Sequence, residues 1–300
     1  MSGLVNDALA VLEAANDPGL DDEQAEAVAL LALVAGQDVE PGERPGTWRI
    51  AREVAKDRVI STVDPQARHT RKTSAAKRDG YKAHIAAEPS CGLVTQCALT
   101  AANLPDGPTG VGLLADEDPG LEVLGDTGYG SGQTRAALRA AGHTQTIKPI
   151  PLSSAVPGGF TIHDFRIDQS AGTLRCPAGY QVPITSSGRA SFTSHCQSCP
   201  LRKRCTTAKD GRTIRIHPHD DELRAARRRE VTRSFQQSYR RWRPMVERSI
   251  AWLVADGCRR VPYRGIDRND LWWSVRVAAV NLRRLLVLGL ARQDGTWTLT

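Results

Sequence analysis

Several features that would assign a familiar function are lacking in this sequence. No apolar run approaches the about 18 residues of a membrane-spanning helix, and Met1 is not followed by the basic and apolar segments of an export signal. A Gly-x-x-x-x-Gly-Lys phosphate-binding loop is absent, and so is the Gly-x-Ser-x-Gly turn of serine hydrolases. We therefore expect a cytoplasmic protein without a membrane span, and these two motifs assign it no function.

Positive charge is in excess. Lys and Arg total 40 against 33 Asp and Glu, which gives a net charge of +7 over 300 residues. That balance favours polyanionic partners such as nucleic acid, although many basic proteins bind none. The 40% of apolar residues suffices to bury the core of one large domain or of two ordinary ones.

The seven cysteines are unevenly distributed, and four of them (Cys176, Cys196, Cys199 and Cys205) fall in one short segment. Without an export signal, free thiols or a metal site are expected rather than a disulfide framework. Four thiolates suit a tetrahedral Zn²⁺, and Cys196-x-x-Cys199 is a familiar half-site. Because Cys176 and Cys205 are isolated, a structural zinc and reduced, unliganded cysteines both remain open.

The pattern of apolar residues divides the chain into four segments. Residues 1–47 form a helical segment, with helical periodicity from Leu4 to about Val34, a break at Asp17-Pro18-Gly19 and a polar loop at 36–46, and residues 219–300 are helical again. Residues 48–150 contain short runs typical of strands, whereas residues 151–218 resemble a cysteine-rich insert with little core of its own. We predict strands at 58–63, 81–87, 93–99, 121–124 and 144–149 and helices at 133–141, 244–254 and 271–290.

These elements predict an α/β fold. The strands at 81–87 and 93–99 are joined by a short turn and should form an antiparallel hairpin, the last two of a three-stranded meander. A strand, a helix and another strand follow. A meander followed by a strand-helix-strand unit resembles the ribonuclease-H-like fold, a mixed sheet with flanking helices.

Asp126 lies in a glycine-rich turn after one of the predicted strands. That position places its carboxylate at the C-terminal edge of a sheet, where ligands of α/β folds usually bind. The turn therefore suits a carboxylate that holds a hard divalent cation. An aspartate that merely caps the following helix has the same sequence pattern.

Glu247 follows Pro244, a residue that suits the first position of a helix. We expect Glu247 in the first turn of that helix, with Val246, Ile250, Leu253 and Val254 facing the core. The acid then projects from a rigid element. Alternatively, it complements the helix dipole and pairs with Arg243 or Arg248.

An arginine-rich stretch leads into Glu247. Guanidinium groups contact phosphates in a bidentate manner, and aromatic rings stack on exposed bases. A run of arginines on one helix is equally typical of a solvated face. The residues that we predict to contact DNA are Arg240, Arg241, Trp242, Arg243 and Arg248, together with Tyr129 from the glycine-rich turn.

Four motifs in order resemble the acidic-triad (DDE) transposases of bacterial insertion sequences. In chain order they are the Ser-Thr-Val-Asp-Pro-Gln-Ala-Arg segment at 61–68, Gly-Tyr-Lys-Ala-His at 80–84, the Leu-Gly-Asp-Thr-Gly-Tyr-Gly-Ser turn at 124–131 and the Arg-Pro-Met-Val-Glu-Arg-Ser segment at 243–249. The resemblance runs from about Trp48 to the C-terminus and includes the cysteine-rich segment. One such motif is weak, but the ordered set is specific.

The resemblance implies catalytic roles for Asp126 and Glu247, as the second and third acids of the triad. The family's first aspartate stands in an Asp-Ser-Thr or Asp-Gly-Thr context that this chain lacks, so we expect it to be encoded upstream of Met1. Asp64 is an alternative first acid. Relatives often place a lysine seven residues after the glutamate, where Val254 stands here, and Arg259 and Arg260 offer charge from the next loop.

The implied reaction is cleavage and joining of DNA at the ends of the mobile element, carried out by a homo-oligomer on DNA. Two Mg²⁺ or Mn²⁺ ions about 3.5 to 4 Å apart activate the nucleophile and stabilise the leaving group. A chain without the first aspartate holds such ions incompletely, which leaves an active enzyme and an inactive copy both open. A non-catalytic DNA-binding remnant and a zinc-stabilised interaction module are the alternative functions.

Overall fold

The computed structural model describes residues 1–15, 19–71 and 77–299, so Asp17 and Pro18 of the predicted helix break lie outside the described residues. The described chain has a mixed α/β structure, which confirms the predicted class. Its helices are α1 (Ser2–Ala14), α2 (Asp22–Gly36), α3 (Asp106–Gly112), α4 (Gly132–Ala140), α5 (Thr193–Cys196), α6 (Arg202–Cys205), α7 (Asp220–Glu230), α8 (Arg233–Ala255) and α9 (Ile266–Val287).

The strands form several small sheets within the described residues. They are β1 (Val39–Pro41), β2 (Trp48–Ile50), β3 (Arg68–Arg71), β4 (Lys77–Glu88), β5 (Leu93–Ala101), β6 (Glu122–Gly125), β7 (Thr144–Ile147), β8 (Arg166–Asp168), β9 (Thr173–Arg175), β10 (Gln181–Pro183), β11 (Arg189–Ser191), β12 (Thr213–Arg215), β13 (Leu290–Gln293) and β14 (Thr296–Leu299). The chain divides into two compact units, Met1–Pro105 with Val246–Thr300, and Asp106–Met245.

The first unit contains the antiparallel sheet β3-β4-β5. The predicted hairpin is confirmed, since β4 pairs with β5 from Tyr81 opposite Ala101 to Glu88 opposite Leu93. The strand predicted at 58–63 is wrong, and β3 takes its place in the meander. At Val59 the backbone bonds instead to the Gln37 side-chain amide, which accepts from Val59 N–H at 2.9 Å and donates to Val59 C=O at 3.0 Å, so these two groups do not pair with a neighbouring strand.

Helix α9 covers the edge of β5 that faces away from β4. The Asn281 amide bonds to both Val94 N–H, at 2.9 Å, and Val94 C=O, at 2.7 Å, while Asp270 accepts from Leu99 N–H at 2.7 Å. Side chains of α9 thus replace a neighbouring strand. Val94, Leu253 and Trp273 belong to the buried core beneath this contact.

The second unit contains the predicted strand-helix-strand unit. Strands β6 and β7 are parallel neighbours, and α4 connects them. Ser131 caps α4 by accepting a hydrogen bond from Thr134 N–H at 3.1 Å, a favoured role for serine at this position. The order β6-α4-β7 places the residue after β6 at the C-terminal edge of this parallel pair.

The cysteine-rich segment has a core of its own, contrary to the expectation of little core. Strands β8, β9 and β10 form one small sheet and β11 pairs with β12. Their inward side chains enclose Phe165, Leu174 and Phe192, which are 0 to 1% exposed. Short strands with alternating burial, such as exposed-buried-exposed in β10 and β11, explain how so few residues build this core.

Helix α8 is longer than predicted and runs through Pro244 without a break. The prediction that Pro244 begins a helix is therefore wrong, and Glu247 lies within the helix rather than in its first turn. The buried face differs in part from the predicted one. Leu253 is buried as predicted, whereas Ile250 is 48% exposed and Ser249 is buried. Proline inside a helix lacks one hydrogen-bond donor, a cost that contacts on both sides of Pro244 outweigh here.

Candidate functional site

Asp126 follows directly after β6 and caps a short 3₁₀ turn, Thr127–Tyr129. Its Oδ1 accepts a hydrogen bond from Gly128 N–H at 2.8 Å, and the residue is exposed. The capping role that the sequence left open is thus realised. A carboxylate has about four acceptor positions, so one cap leaves capacity for a cation.

A second carboxylate, that of Asp106, lies beside the turn of Asp126. A β-carbon added at Gly128 would stand 2.6 Å from Asp106 Oδ2 and 3.0 Å from Asp126 Oδ1, so both oxygens border one point in space. Sequence reasoning missed Asp106 because twenty residues separate the two acids. Asp106 is the first residue of α3, and the packing of that helix brings the two acids together. No local sequence pattern indicates this proximity.

Tyr129 packs within the same turn. A β-carbon at Gly110 of α3 would lie 2.6 Å from the Tyr129 ring, so only glycine permits this approach. Burial raises the pKa of Tyr129 to about 12, with further contributions from the charges of Asp106 and Asp126. The predicted contact of Tyr129 with DNA stays a prediction, and its ring has a packing role against α3.

The buried Arg135 connects this turn to β7. Its guanidinium donates to Gly130 C=O at 3.2 Å and to Ile147 C=O at 3.0 Å, and it is 2% exposed. Burial lowers the pKa of Arg135 to about 10, and the charges of Arg229 and Arg227 lower it further. A buried cation tied to two carbonyls fixes the backbone that follows Asp126.

Glu247 is exposed on α8 and belongs to the first unit, whereas Asp126 belongs to the second. The metal site that these two acids are expected to share therefore stays a prediction. Arg243, one of the ion-pair partners expected for Glu247, donates a hydrogen bond to the Tyr239 hydroxyl and lies 5.3 Å from the centroid of its ring.

The arginines of α8 and those of the preceding helix α7 differ in their surroundings. Arg240, Arg241 and Arg248 are exposed, and the Arg241 guanidinium lies 4.3 Å from the centroid of the Trp242 ring. Arginines of α7 instead bond to the protein itself. These are Arg224 to Ile162 C=O at 3.1 Å, Arg227 to Ile150 C=O at 3.4 Å and Arg229 to Gln145 C=O at 2.8 Å.

Asp64, the alternative first acid, is engaged within the first unit. Its carboxylate accepts from the Tyr81 hydroxyl at 2.8 and 2.9 Å and from Gly265 N–H at 3.3 Å. Burial raises the pKa of Tyr81, and the hydrogen bond to Asp64 raises it further. These bonds give Asp64 a structural role between β4 and the start of α9, and its role as a metal ligand stays a prediction.

All four clustered cysteines border one cavity of the second unit, which we call the cysteine cavity. Its lining includes Cys176, Cys196, Cys199 and Cys205 together with His195, Arg202 and Arg212. The thiols are free, and burial raises the pKa of Cys205. Within the described residues no three His, Cys, Asp or Glu side chains converge closely enough to hold a metal ion. The structure thus gathers the predicted zinc ligands around one space without a preformed coordination sphere.

None of the helices in the described ranges is long and apolar enough to cross a membrane. Residues 175–286 match a family model described as a transposase DDE domain. No curated protein and no solved structure matches the chain.

The matched residues contain Glu247, the basic part of α8 and the four cysteines of the cysteine cavity, while Asp64 and Asp126 precede them. A domain of this kind implies DNA as partner, transposition as the process and divalent metal ions as cofactors. Over residues 175–286 the chain is thus similar to the DDE domain of transposases.

Proposed function

We propose that this protein is the catalytic part of an insertion-sequence transposase that cuts and joins DNA at the ends of its own element. The observation that carries the proposal is the match of residues 175–286 to a transposase DDE domain. In this proposal residues 48–150 and 219–300 form a ribonuclease-H-like core, residues 151–218 are its cysteine-rich insert and residues 1–47 a helical extension. The protein acts in the cytoplasm as a homo-oligomer on DNA.

The proposed metal ligands are Asp126 and Glu247, with Mg²⁺ or Mn²⁺ as the ions. Bound divalent ions supply activation of the attacking hydroxyl and stabilisation of the leaving oxygen in phosphodiester chemistry. The local fit at Asp126 supports this, because the exposed carboxylate has Asp106 beside it and Mg²⁺ prefers hard oxygen ligands. Asp64 is the further candidate for a third acid.

The proposed DNA contacts are Arg240, Arg241, Arg243 and Arg248, with Trp242 and Tyr129 as stacking residues. Arg240, Arg241 and Arg248 are exposed, which leaves their guanidinium groups accessible to phosphates. Arg243 differs because it already donates to Tyr239, so we assign it to positioning α8 as well as to DNA contact.

A non-catalytic DNA-binding copy is the second candidate. Asp64, the alternative to the family's first acid, already accepts hydrogen bonds from two donors of the first unit, the Tyr81 hydroxyl and Gly265 N–H, which favours this reading. The two candidates share the basic surface and differ only in DNA cleavage.

The test is a nicking assay on supercoiled plasmid that carries the DNA flanking this gene, with Mn²⁺ or Mg²⁺ and the full chain. We expect the unmodified chain to nick the plasmid. The nicking rate should fall at least about 100-fold in Asp126→Asn and in Glu247→Gln, since each change removes a charged metal ligand. Matched controls are Asp116→Asn and Glu53→Gln, which remove the same charge from other exposed positions.

Three results decide between the candidates. Cleavage that is lost in the two test variants and kept in both controls supports the enzyme. DNA binding without cleavage by the unmodified chain supports the non-catalytic copy. Absence of both DNA binding and cleavage, with the protein folded, overturns the proposal.

A further inference from the structure

The cysteine cavity draws its lining from three separate stretches of the second unit. Cys176 follows β9 in a tight turn, in which Gly179 N–H donates to Cys176 C=O at 2.9 Å and Cys176 N–H to Tyr180 C=O at 2.8 Å. Cys196 ends α5, Cys199 lies three residues later, and Cys205 ends α6. A hairpin turn and two short helices therefore bring four thiols to one space.

The backbone around Cys196 has the donors that a metal-bound sulfur requires. Arg212 N–H points at Cys196 Sγ, at 3.4 Å, and Arg202 holds Cys196 C=O at 2.9 Å. A β-carbon at Gly211 would lie 2.8 Å from Cys196 Cβ, so the loop presses closely on this cysteine. Hydrogen bonds to the ligating atom orient it and are a regular part of metal sites.

One polar atom at the cavity lacks a partner. The Nε of Arg212 is buried, and within the described residues it has no hydrogen-bond acceptor. Buried polar groups are almost always satisfied, so this guanidinium N–H requires an acceptor inside the cavity. Arg212 lines the same cavity as the thiols, and a negatively charged sulfur is an acceptor of the required kind.

The size of the segment supplies an independent argument. Its strands are three residues long, and its core rests on a handful of buried side chains. Domains with so few apolar residues usually need a disulfide or a metal to fold stably. The cysteines here are free thiols, so a disulfide does not fill that role.

We propose that the four thiols of the cysteine cavity bind one structural Zn²⁺ ion that stabilises residues 160–216. Binding requires the thiols to converge on the ion, and each coordinating thiol releases its proton to solvent as its bond to zinc forms. This site is separate from the catalytic ions of the proposed function and is independent of DNA cleavage.

The test measures zinc in the full chain, purified under reducing conditions from medium with added zinc and passed through gel filtration. We expect about one zinc ion per chain by plasma mass spectrometry, as for a closed four-thiolate site. Replacement by Co²⁺ should give the absorption of thiolate-bound tetrahedral cobalt. In Cys199→Ser we expect retention of zinc against a chelator to fall at least about ten-fold.

Two further variants keep the result interpretable. Cys199→His retains a zinc ligand and should keep zinc near one per chain, and Cys91→Ser changes a cysteine of the first unit and should leave the metal content unchanged. If Cys199→Ser fails to fold, the zinc content of the unmodified chain decides. Reduced unmodified protein without zinc, or equal loss in Cys91→Ser and Cys199→Ser, overturns the proposal.

Discussion

At the scale of single residues, Asp126 and Asp106 show what a motif reveals and what it hides. The glycine-rich turn predicted that Asp126 follows a strand and left a capping role open, because both features depend on neighbours within a few residues. Asp106 carries no comparable signal, and α3 alone places it there. Both oxygens lie within 3.0 Å of the β-carbon position at Gly128.

This proximity leads to a prediction for Asp106→Asn. Loss of the negative charge beside Asp126 should weaken Mn²⁺ binding about ten-fold, since groups that neighbour a metal ligand typically contribute this much to affinity. The measurement is Mn²⁺ titration followed by electron paramagnetic resonance. Asp116→Asn is the control with the same charge change, and equal affinities in the two variants would remove Asp106 from the site.

At the scale of elements, the contact of α9 with β5 shows how a helix completes a sheet. The Asn281 side chain satisfies both backbone groups of Val94, a residue that is 5% exposed. Periodicity predicted the helix, yet no local pattern assigns an asparagine to a strand 187 residues earlier.

Removal of this contact should lower the stability of the protein. Asn281→Ala leaves a buried N–H and a buried C=O without partners, and we expect the free energy of unfolding to fall by about 2 to 4 kcal/mol. Urea unfolding measures this change in free energy. Leu282→Ala, on the exposed face of the same helix, should change the free energy by no more than about 0.5 kcal/mol. Equal losses in the two variants would show that Asn281 has no special role.

The length of helix α8 could not be predicted from the local sequence. Proline at a possible first position predicted a helix start at Pro244, and the structure has a continuous helix from Arg233 to Ala255. Phe235 and Tyr239 are buried before the proline, and Ser249 and Leu253 are buried after it. Packing on both sides therefore decides the length of the helix, and proline propensity does not.

At the scale of the whole molecule, charge is the property that sequence predicts most directly. The net charge is +7, and Arg240, Arg241 and Arg248 are exposed. A partner with a dense row of phosphates releases counterions when such groups bind, so binding should weaken as salt rises.

The corresponding prediction concerns the slope of that dependence. The slope is that of the logarithm of the DNA association constant plotted against the logarithm of salt concentration. In Arg240→Gln its magnitude should decrease by about 0.9, the value for one lost phosphate contact. Fluorescence anisotropy over a salt series measures it. Arg175→Gln on β9 loses the same charge from an exposed position. Identical slopes in both variants would mean that Arg240 contacts no phosphate.

The sequence by itself determined those features whose hydrogen bonds close within a short stretch: the hairpin β4-β5, the β6-α4-β7 unit and the turn at Asp126. It also carried the family motifs, because these are runs of adjacent residues. Tertiary structure decided which distant groups meet, such as Asp106 beside Asp126, Asn281 on Val94 and four cysteines around one cavity. The physical reason is that such contacts depend on the packing of whole elements, which no single stretch of sequence specifies.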